Sequence, residues 1–192
     1  MKTIQQLAAT GLLLFGLAVA QAQSLNVDAQ QSNIRWYGQD ITGKTHFGDL
    51  KFKTAELSLQ DGIVSGGMFV VDMNSLDVVD LSGGGKTRLE GHLKSDDFFS
   101  VDKHPEAVLK ITQKGKAQGK TQTLVGDLTI KGIKHPVEFT IEMGDNNTAT
   151  AALTFDRAKY DVRFRSGSFF ENLGDKLILD EIKMEVALAL KN

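Results

Sequence analysis

Apolar and polar residues alternate along much of this chain with a period of two. The clearest case lies between residues 137 and 143, where polar residues separate Val137, Phe139, Ile141 and Met143. Such alternation places every second side chain on one face of a strand, as in a sheet that is buried on one side. Only one stretch near the middle of the chain suggests a helix. The chain is therefore predicted to be all-β.

Turn signals separate roughly eight or more of these segments. Asp61-Gly62 is typical of a two-residue hairpin turn. The 19 glycines and only 2 prolines suit many antiparallel strands that are joined by tight turns. No repeat of fixed period occurs, which disfavours a propeller or a solenoid. An antiparallel barrel or a sandwich is predicted.

The first residues have the pattern of an export signal. Lys2 supplies a positive charge, residues 7–19 are uncharged and mostly apolar, and Ala20-Gln21-Ala22 is typical of a cleavage site. The apolar run is too short to span a bilayer. We predict a signal peptide at residues 1–22 and one domain at residues 23–192. The protein is expected in the periplasm, with secretion as the second choice.

Composition excludes several functional classes. The chain has 22 Lys and Arg, 24 Asp and Glu, and a formal net charge of −2, so no basic surface for nucleic acid is expected. It has no cysteine, which excludes thiol catalysis and cysteine-ligated metals. No second hydrophobic segment follows the leader, so stable membrane insertion is not expected. A resident cofactor or metal is not expected either.

Residues 89–105, LEGHLKSDDFFSVDKHP, interrupt the alternation. Ser95 before two aspartates resembles the N-cap of a helix, and the phenylalanines that follow are expected to be buried. We predict a short helical insert near residues 89–105. His92 and His104 could bind a metal together with nearby aspartates, although a structural role is favoured. The preceding segment 83–87, GGGKT, lacks the full phosphate-loop pattern and is predicted to be a flexible loop.

Arg157 is the most unusual charge in a predicted strand. It shares a face with Leu153 and Phe155, and Tyr160, Val162 and Phe164 are predicted to share a later strand face. An arginine on an apolar face either pairs with a carboxylate as part of the structure or meets an anionic headgroup. The sequence leaves both roles open.

An ordered set of short motifs resembles the YceI-like family of exported lipid-binding proteins. The motifs span nearly all of the chain after the leader. They are GKTHFG at 43–48, GMFVVD at 67–72, LEGHLKS at 89–95, DFF at 97–99, HP at 104–105, GDLTIKG at 126–132 and FDR at 155–157 before Tyr160. The sequence departs from the family pattern at His104, where related chains often have tyrosine, and at the extra glycines 83–85.

The resemblance implies an extended, lipocalin-like antiparallel barrel of about eight strands with an elongated apolar interior. It also implies a non-enzymatic carrier for an isoprenoid, such as a quinone or polyprenyl lipid, or for a similar long-chain amphiphile. A homodimer is one possible assembly. The expected ligand-binding residues are Ile34, Trp36, Phe47, Phe69, Val71, Leu93, Phe98, Phe99, Phe139, Ile141, Phe155, Arg157, Tyr160 and Phe164.

Two rival functions remain at this point. The first is an enzyme that acts on a lipid inside the same barrel, with His92 or His104 and an aspartate as general base. The second is a stress-related structural or interaction protein whose barrel is filled by its own side chains. An eight-stranded barrel lies at the size where either a filled interior or one bound ligand is physically reasonable.

Overall fold

The computed structural model describes residues 23–191, which form nine strands and one α-helix; the predicted signal peptide lies outside the described residues. The sequence alternation recurs as alternating burial, most regularly in β6, where every second residue is buried. The all-β prediction is confirmed. The strands are β1 (Gln23–Val27), β2 (Asn33–Gln39), β3 (Thr45–Gln60), β4 (Ile63–Val78), β5 (Glu106–Gln118), β6 (Thr121–Ile130), β7 (Ile133–Met143), β8 (Thr148–Asp156) and β9 (Glu181–Lys191).

The strands form a closed antiparallel barrel with eight positions. From β2 to β9 each strand pairs with the next along the chain, and β2 pairs with β9 to close the ring. β1 and β2 run in the same direction and occupy one position together, because both pair with β3 and with β9 at successive levels. At the break between them, the Ser32 hydroxyl accepts the Ala189 N–H at 3.0 Å. The predicted eight-stranded barrel is confirmed.

Tight turns join the hairpins where the sequence indicates them. Asp61 and Gly62 both have positive φ, 54° and 75°, as a two-residue β-hairpin turn requires. Lys131 and Gly132 repeat this geometry between β6 and β7 with φ of 51° and 75°. These short connections keep consecutive strands adjacent, and the barrel is therefore an up-and-down one.

The helical insert occurs, but its bounds differ from the prediction. Helix α1 spans Gly83–Lys94, so residues 83–85 form its first turn rather than a loop. Ser95 ends the helix instead of beginning it, and its N–H donates to the His92 carbonyl at 3.1 Å. The three glycines at 83–85 have low helix propensity, which lowers the intrinsic stability of the first turn, and tertiary contacts offset this loss. The Glu90 carboxylate accepts the Val78 N–H at 2.9 Å, which anchors α1 to the end of β4.

The connection from β8 to β9 is not a strand as predicted. β8 ends at Asp156, and a single 3₁₀ turn, Arg157–Tyr160, follows it. A second 3₁₀ turn, Gly174–Lys176, comes shortly before β9. The apolar alternation of Tyr160, Val162 and Phe164 therefore reflects burial in an irregular segment.

The interior of the barrel differs between its two ends. One end, where β1 and the turn at Asp61-Gly62 lie, is filled by a cluster of buried apolar side chains. Gln122 is buried there; its side chain accepts the Val64 N–H at 2.8 Å and donates to the Gly62 carbonyl at 3.2 Å. The other end is covered by α1 and by the long connection before β9. Between residues 23 and 191, no helix is both long and apolar enough to cross a membrane.

Candidate ligand cavity

The barrel encloses an apolar cavity of about 400 Å³. Strands β2 to β9 and helix α1 all contribute to its wall. This volume falls within the range of small-molecule sites in proteins, which are mostly apolar with a few polar groups. The protein's own side chains therefore fill only part of the interior.

Most of the residues predicted to bind a ligand border this cavity. The barrel strands supply Ile34, Trp36, Phe69, Val71, Phe139, Ile141 and Phe155. The covering segments supply Leu93, Phe98, Phe99, Arg157 and Phe164. The indole Nε1 of Trp36 is buried and has no hydrogen-bond partner among the described residues.

Phe47 does not border the cavity, contrary to the prediction. Trp36 lies opposite Gly48, and both face inward, so the neighbouring pair Tyr37 and Phe47 faces outward. The rings of Tyr37 and Phe47 pack on the outer face with centroids 5.9 Å apart, and Arg35 lies over the Phe47 ring. Successive side chains of a strand point to opposite faces, so an error of one residue in the assigned face placed Phe47 inside the barrel in the prediction.

Tyr160 is buried but is also not part of the cavity wall. Its ring packs edge-to-face on Phe155 at 5.7 Å and on His135 at 5.4 Å. A 3₁₀ turn follows β8, and it places Tyr160 in the buried apolar cluster without bringing the ring to the cavity surface. Desolvation by burial, followed by the charge of Asp156, raises the pKa of Tyr160 to about 12.

The sequence prediction named no wall residue from β5, β6 or β9, although all three strands border the cavity. Met184, Val186 and Leu188 of β9 border the cavity, and Val186 and Met184 lie directly opposite Ile34 and Trp36. Their alternation was visible in the sequence, and the pairing of β9 with β2 was not. Other wall residues absent from the prediction are Leu50, Phe52, Met73, Leu76, Leu89, Leu109, Ile111, Leu128, Ile130, Leu153, Ile178 and Ile182.

Arg157 is fully buried, and four of its five N–H donors are hydrogen-bonded within the protein. Nε and the two Nη atoms donate to four backbone carbonyls at 3.0–3.2 Å, those of Val162, Phe164, Ile178 and Leu179. Nη2 also lies 3.1 Å from Asp180 Oδ1, an ion pair without the alignment of a hydrogen bond. Burial lowers the pKa of the guanidinium, and the charges of Asp180 and Asp156 oppose that shift. The structural role, rather than headgroup binding, fits this geometry.

Apart from His92 and Arg157, the polar residues of the wall gather at one end, which we call the mouth: Gln39, Asp40, Lys44, His46, Arg165, Asp175 and Lys176. Backbone hydrogen bonds of 2.9 Å join this region, from Ile41 to Leu177, from Leu179 to Gln39 and from Ile178 to Arg165. An isolated bridge pairs Asp40 with Ile178. The cavity thus has an apolar body and a polar mouth.

Of the two histidines of the insert, only His92 borders the cavity. His92 borders the cavity, where its ring packs on Phe164 at 4.3 Å and on Phe98 at 5.1 Å. Its Nε2 lies 3.9 Å from the Asp97 carboxylate, beyond hydrogen-bond distance. His104 is not part of the cavity wall. No group of three or more metal-binding side chains comes together in the described part of the chain.

A closed up-and-down barrel around an apolar cavity defines the lipocalin-like class of β-barrels. Within that class the chain belongs to the YceI-like domain family, whose model matches residues 25–190.

Two curated relatives match the chain over different lengths. A UPF0312 protein of Pseudomonas putida is 26% identical over 139 residues, which cover 72% of this chain and 70% of that protein. A UPF0312 protein of Photorhabdus laumondii is 38% identical over 52 residues. This second match spans only 27% of either chain, about a quarter of the relative's length.

Two solved structures have the same fold. BcnA of Burkholderia cenocepacia superposes with a TM-score of 0.67 at 18% identity, covering 87% of this chain and 100% of that one. A polyisoprenoid binding domain from Saccharophagus degradans, described as implicated in plant cell wall breakdown, has a TM-score of 0.57 at 14% identity. That match covers 87% of this chain and 97% of the domain.

Proposed function

We propose that this protein binds an isoprenoid or a similar long-chain amphiphilic lipid inside the barrel and carries it through the periplasm. The enclosed apolar cavity of about 400 Å³ is the observation that carries this proposal. Each methylene that leaves water contributes about 0.8 kcal/mol, so a lipid tail in the cavity supplies substantial gross affinity. The fold shared with a polyisoprenoid binding domain supports the same ligand class.

The polarity of the cavity wall supports an amphiphile rather than a hydrocarbon. Apolar side chains make up most of the wall of the cavity, whereas the charged side chains other than Arg157 border the mouth. The tail would lie along the barrel, and the headgroup would remain at the mouth. The leader pattern at residues 1–22 supports export, and transport of a lipid between membranes requires a protein that shields its tail from water.

Binding without catalysis agrees better with the site than the enzymatic alternative. Of the two histidines that the enzymatic alternative uses, His92 and His104, only His92 borders the cavity, and its nearest carboxylate contact is 3.9 Å away at Asp97. General base catalysis needs a base within hydrogen-bond reach of the reacting proton, and a second group usually holds that base in the required orientation. A filled, ligand-free barrel is disfavoured by the size of the cavity.

The direct experiment is to identify what the protein binds in its native host. The mature protein is purified under mild conditions, and an organic extract is analysed by mass spectrometry. The expected result is a stoichiometric isoprenoid or other long-chain lipid. An empty protein that also fails to bind added quinone and polyprenol would contradict the proposal.

A variant that blocks the cavity tests the location of binding. Gly38 borders the cavity near the mouth, and an added Cβ would meet only Ile182 Cδ1, at 3.8 Å. Gly38→Leu should therefore fold normally and reduce lipid binding by narrowing the mouth. Gly66→Leu is the control, because a Cβ at Gly66 has similar room beside Ser58 at 3.8 Å but is not in the cavity wall. Equal binding by both variants would place the ligand elsewhere.

A further inference from the structure

Three cationic side chains border the mouth of the cavity. Lys44 lies in the β2–β3 turn, Arg165 in the β8–β9 connection, and Lys176 at the end of the second 3₁₀ turn. Backbone hydrogen bonds from Ile41 to Leu177 and from Ile178 to Arg165, both 2.9 Å, hold these segments side by side. The three positive charges therefore belong to one rim rather than to scattered surface positions.

The cations of the rim do not take part in the salt bridges of residues 23–191. Neighbouring polar contacts use other side chains: His46 Nδ1 lies 2.7 Å from Asp80 Oδ2, and Arg157 pairs with Asp180. An anion that entered the mouth would thus find donors that the fold has not already used.

Arg165 is the best positioned of the three. Its φ is +50°, a left-handed conformation that is uncommon for a residue with a side chain. Its guanidinium lies 5.0 Å from the centroid of the Phe164 ring, and Phe164 is itself part of the cavity wall. Stacking on an aromatic ring limits the orientations of a guanidinium, whose planar fork matches carboxylate and phosphate oxygens.

Two carboxylates, Asp40 and Asp175, also border the mouth, so the three cations exceed the acids by one charge. Asp40 Oδ1 accepts hydrogen bonds from the Thr42 N–H, the Thr42 hydroxyl and the Lys44 N–H, so this side chain holds the turn. Asp175 is exposed and adjacent to Lys176 in sequence. The rim retains an excess of positive charge beside the apolar body.

From this arrangement we infer that the mouth binds an anionic headgroup, so that the favoured ligand is a prenyl or other long-chain amphiphile that ends in a phosphate or a carboxylate. Arg165 makes the principal contact, and Lys44 and Lys176 add to the local positive potential. This inference rests on the proposed function, since the tail must occupy the cavity for the headgroup to reach the rim.

The test compares two ligands that share one tail. Binding of geranylgeranyl phosphate and of geranylgeraniol is measured by fluorescence of Trp36 for the wild-type chain, Arg165→Gln and Lys159→Gln. Lys159 is the matched control, because it is an exposed cation of the same connection that is not in the cavity wall. The wild-type chain should prefer the phosphate. The preference should fall about tenfold in Arg165→Gln, as expected for one lost hydrogen-bonded charge contact.

The outcomes separate the headgroup from the tail. Equal affinity of the wild-type chain for the two ligands, or an equal fall in preference in Lys159→Gln, would overturn the anionic headgroup while leaving a lipid-binding cavity. Failure of both ligands to bind would overturn the proposed function and this inference together. Inorganic phosphate that competes with geranylgeranyl phosphate but not with geranylgeraniol would support the anion site and assign it to free phosphate as well as to lipid.

Discussion

Replacing Arg157 by leucine tests whether this buried cation holds the cover of the barrel. The guanidinium donates to four backbone carbonyls and pairs with Asp180. Leucine fills part of the volume but leaves the four carbonyls without these donors and removes the cation beside Asp180, whose Oδ2 still accepts from the Ser166 and Ser168 hydroxyls. Removing one partner of a buried charge pair typically costs about 3–5 kcal/mol. Because domains are stable by about 5–15 kcal/mol, this is a large fraction of the total.

The measurement is urea unfolding of the wild-type chain, Arg157→Leu and Arg163→Leu. Arg163 lies in the same connection, but its side chain is 60% exposed and pairs with the exposed Asp161. An exposed pair contributes about 0–1 kcal/mol, so Arg163→Leu should be nearly neutral. Hydrogen exchange should also rise at the amides of Val162 and Ile178, whose carbonyls Arg157 binds.

Two results would refute this reasoning. If Arg157→Leu lowers the free energy of unfolding by less than about 1 kcal/mol, the carbonyls find other partners and Arg157 does not stabilise the fold. Normal stability together with lost lipid binding would show instead that Arg157 contacts the ligand, which is the role that the sequence also allowed.

Two further predictions concern close packing and pH. Gly48→Ala should be strongly destabilising, because its Cβ would lie 1.8 Å from the Asp77 carbonyl oxygen and 2.7 Å from the Trp36 ring; Gly84→Ala, with nothing within 4 Å, should stabilise α1 by about 1 kcal/mol. Thermal melts of both variants measure this. The pKa of Tyr160 is raised from 10 to about 12. The contribution of its protonated hydroxyl to the free energy of unfolding is therefore complete below pH 10 and is lost as the pH rises towards 12. Between these pH values, the free energy of unfolding of the wild-type chain should fall by about 2 kcal/mol more than that of Tyr160→Phe.

The strands could be predicted from the sequence, because each carries its own signal. Alternation in 137–143 and the turn at Asp61-Gly62 depend only on neighbouring residues, and both appear in the structure. The start of α1 could not be predicted in this way. Its first residues are glycines, and the contacts that anchor the helix come from β4, through Asp77 to Lys86 and Val78 to Glu90.

The cavity wall was harder to predict, because inward and outward faces depend on pairing between strands. Phe47 was assigned to the wall, but its neighbour along the chain, Gly48, is the residue that faces inward. Gly48 lies opposite Trp36 and makes room for the Trp36 ring. Arg157 could not be assigned from local pattern, since its partners are spread from residue 162 to residue 180. Arg165 directly follows the apolar alternation of Tyr160, Val162 and Phe164, which carries no signal of a ligand contact, and only the closure of the connection over the barrel brings it to the mouth.

The two ends of the described chain lie side by side. In the shared barrel position, Asn26 pairs with Lys191 and Val27 with Leu190, at the end that is filled by side chains. A tag, a fluorophore or a surface tether attached at either side would therefore point away from the mouth. Protein immobilised in this way presents its opening to the solution. A short linker between the neighbouring ends would also allow a circular permutation, with new termini at another turn and the mouth undisturbed.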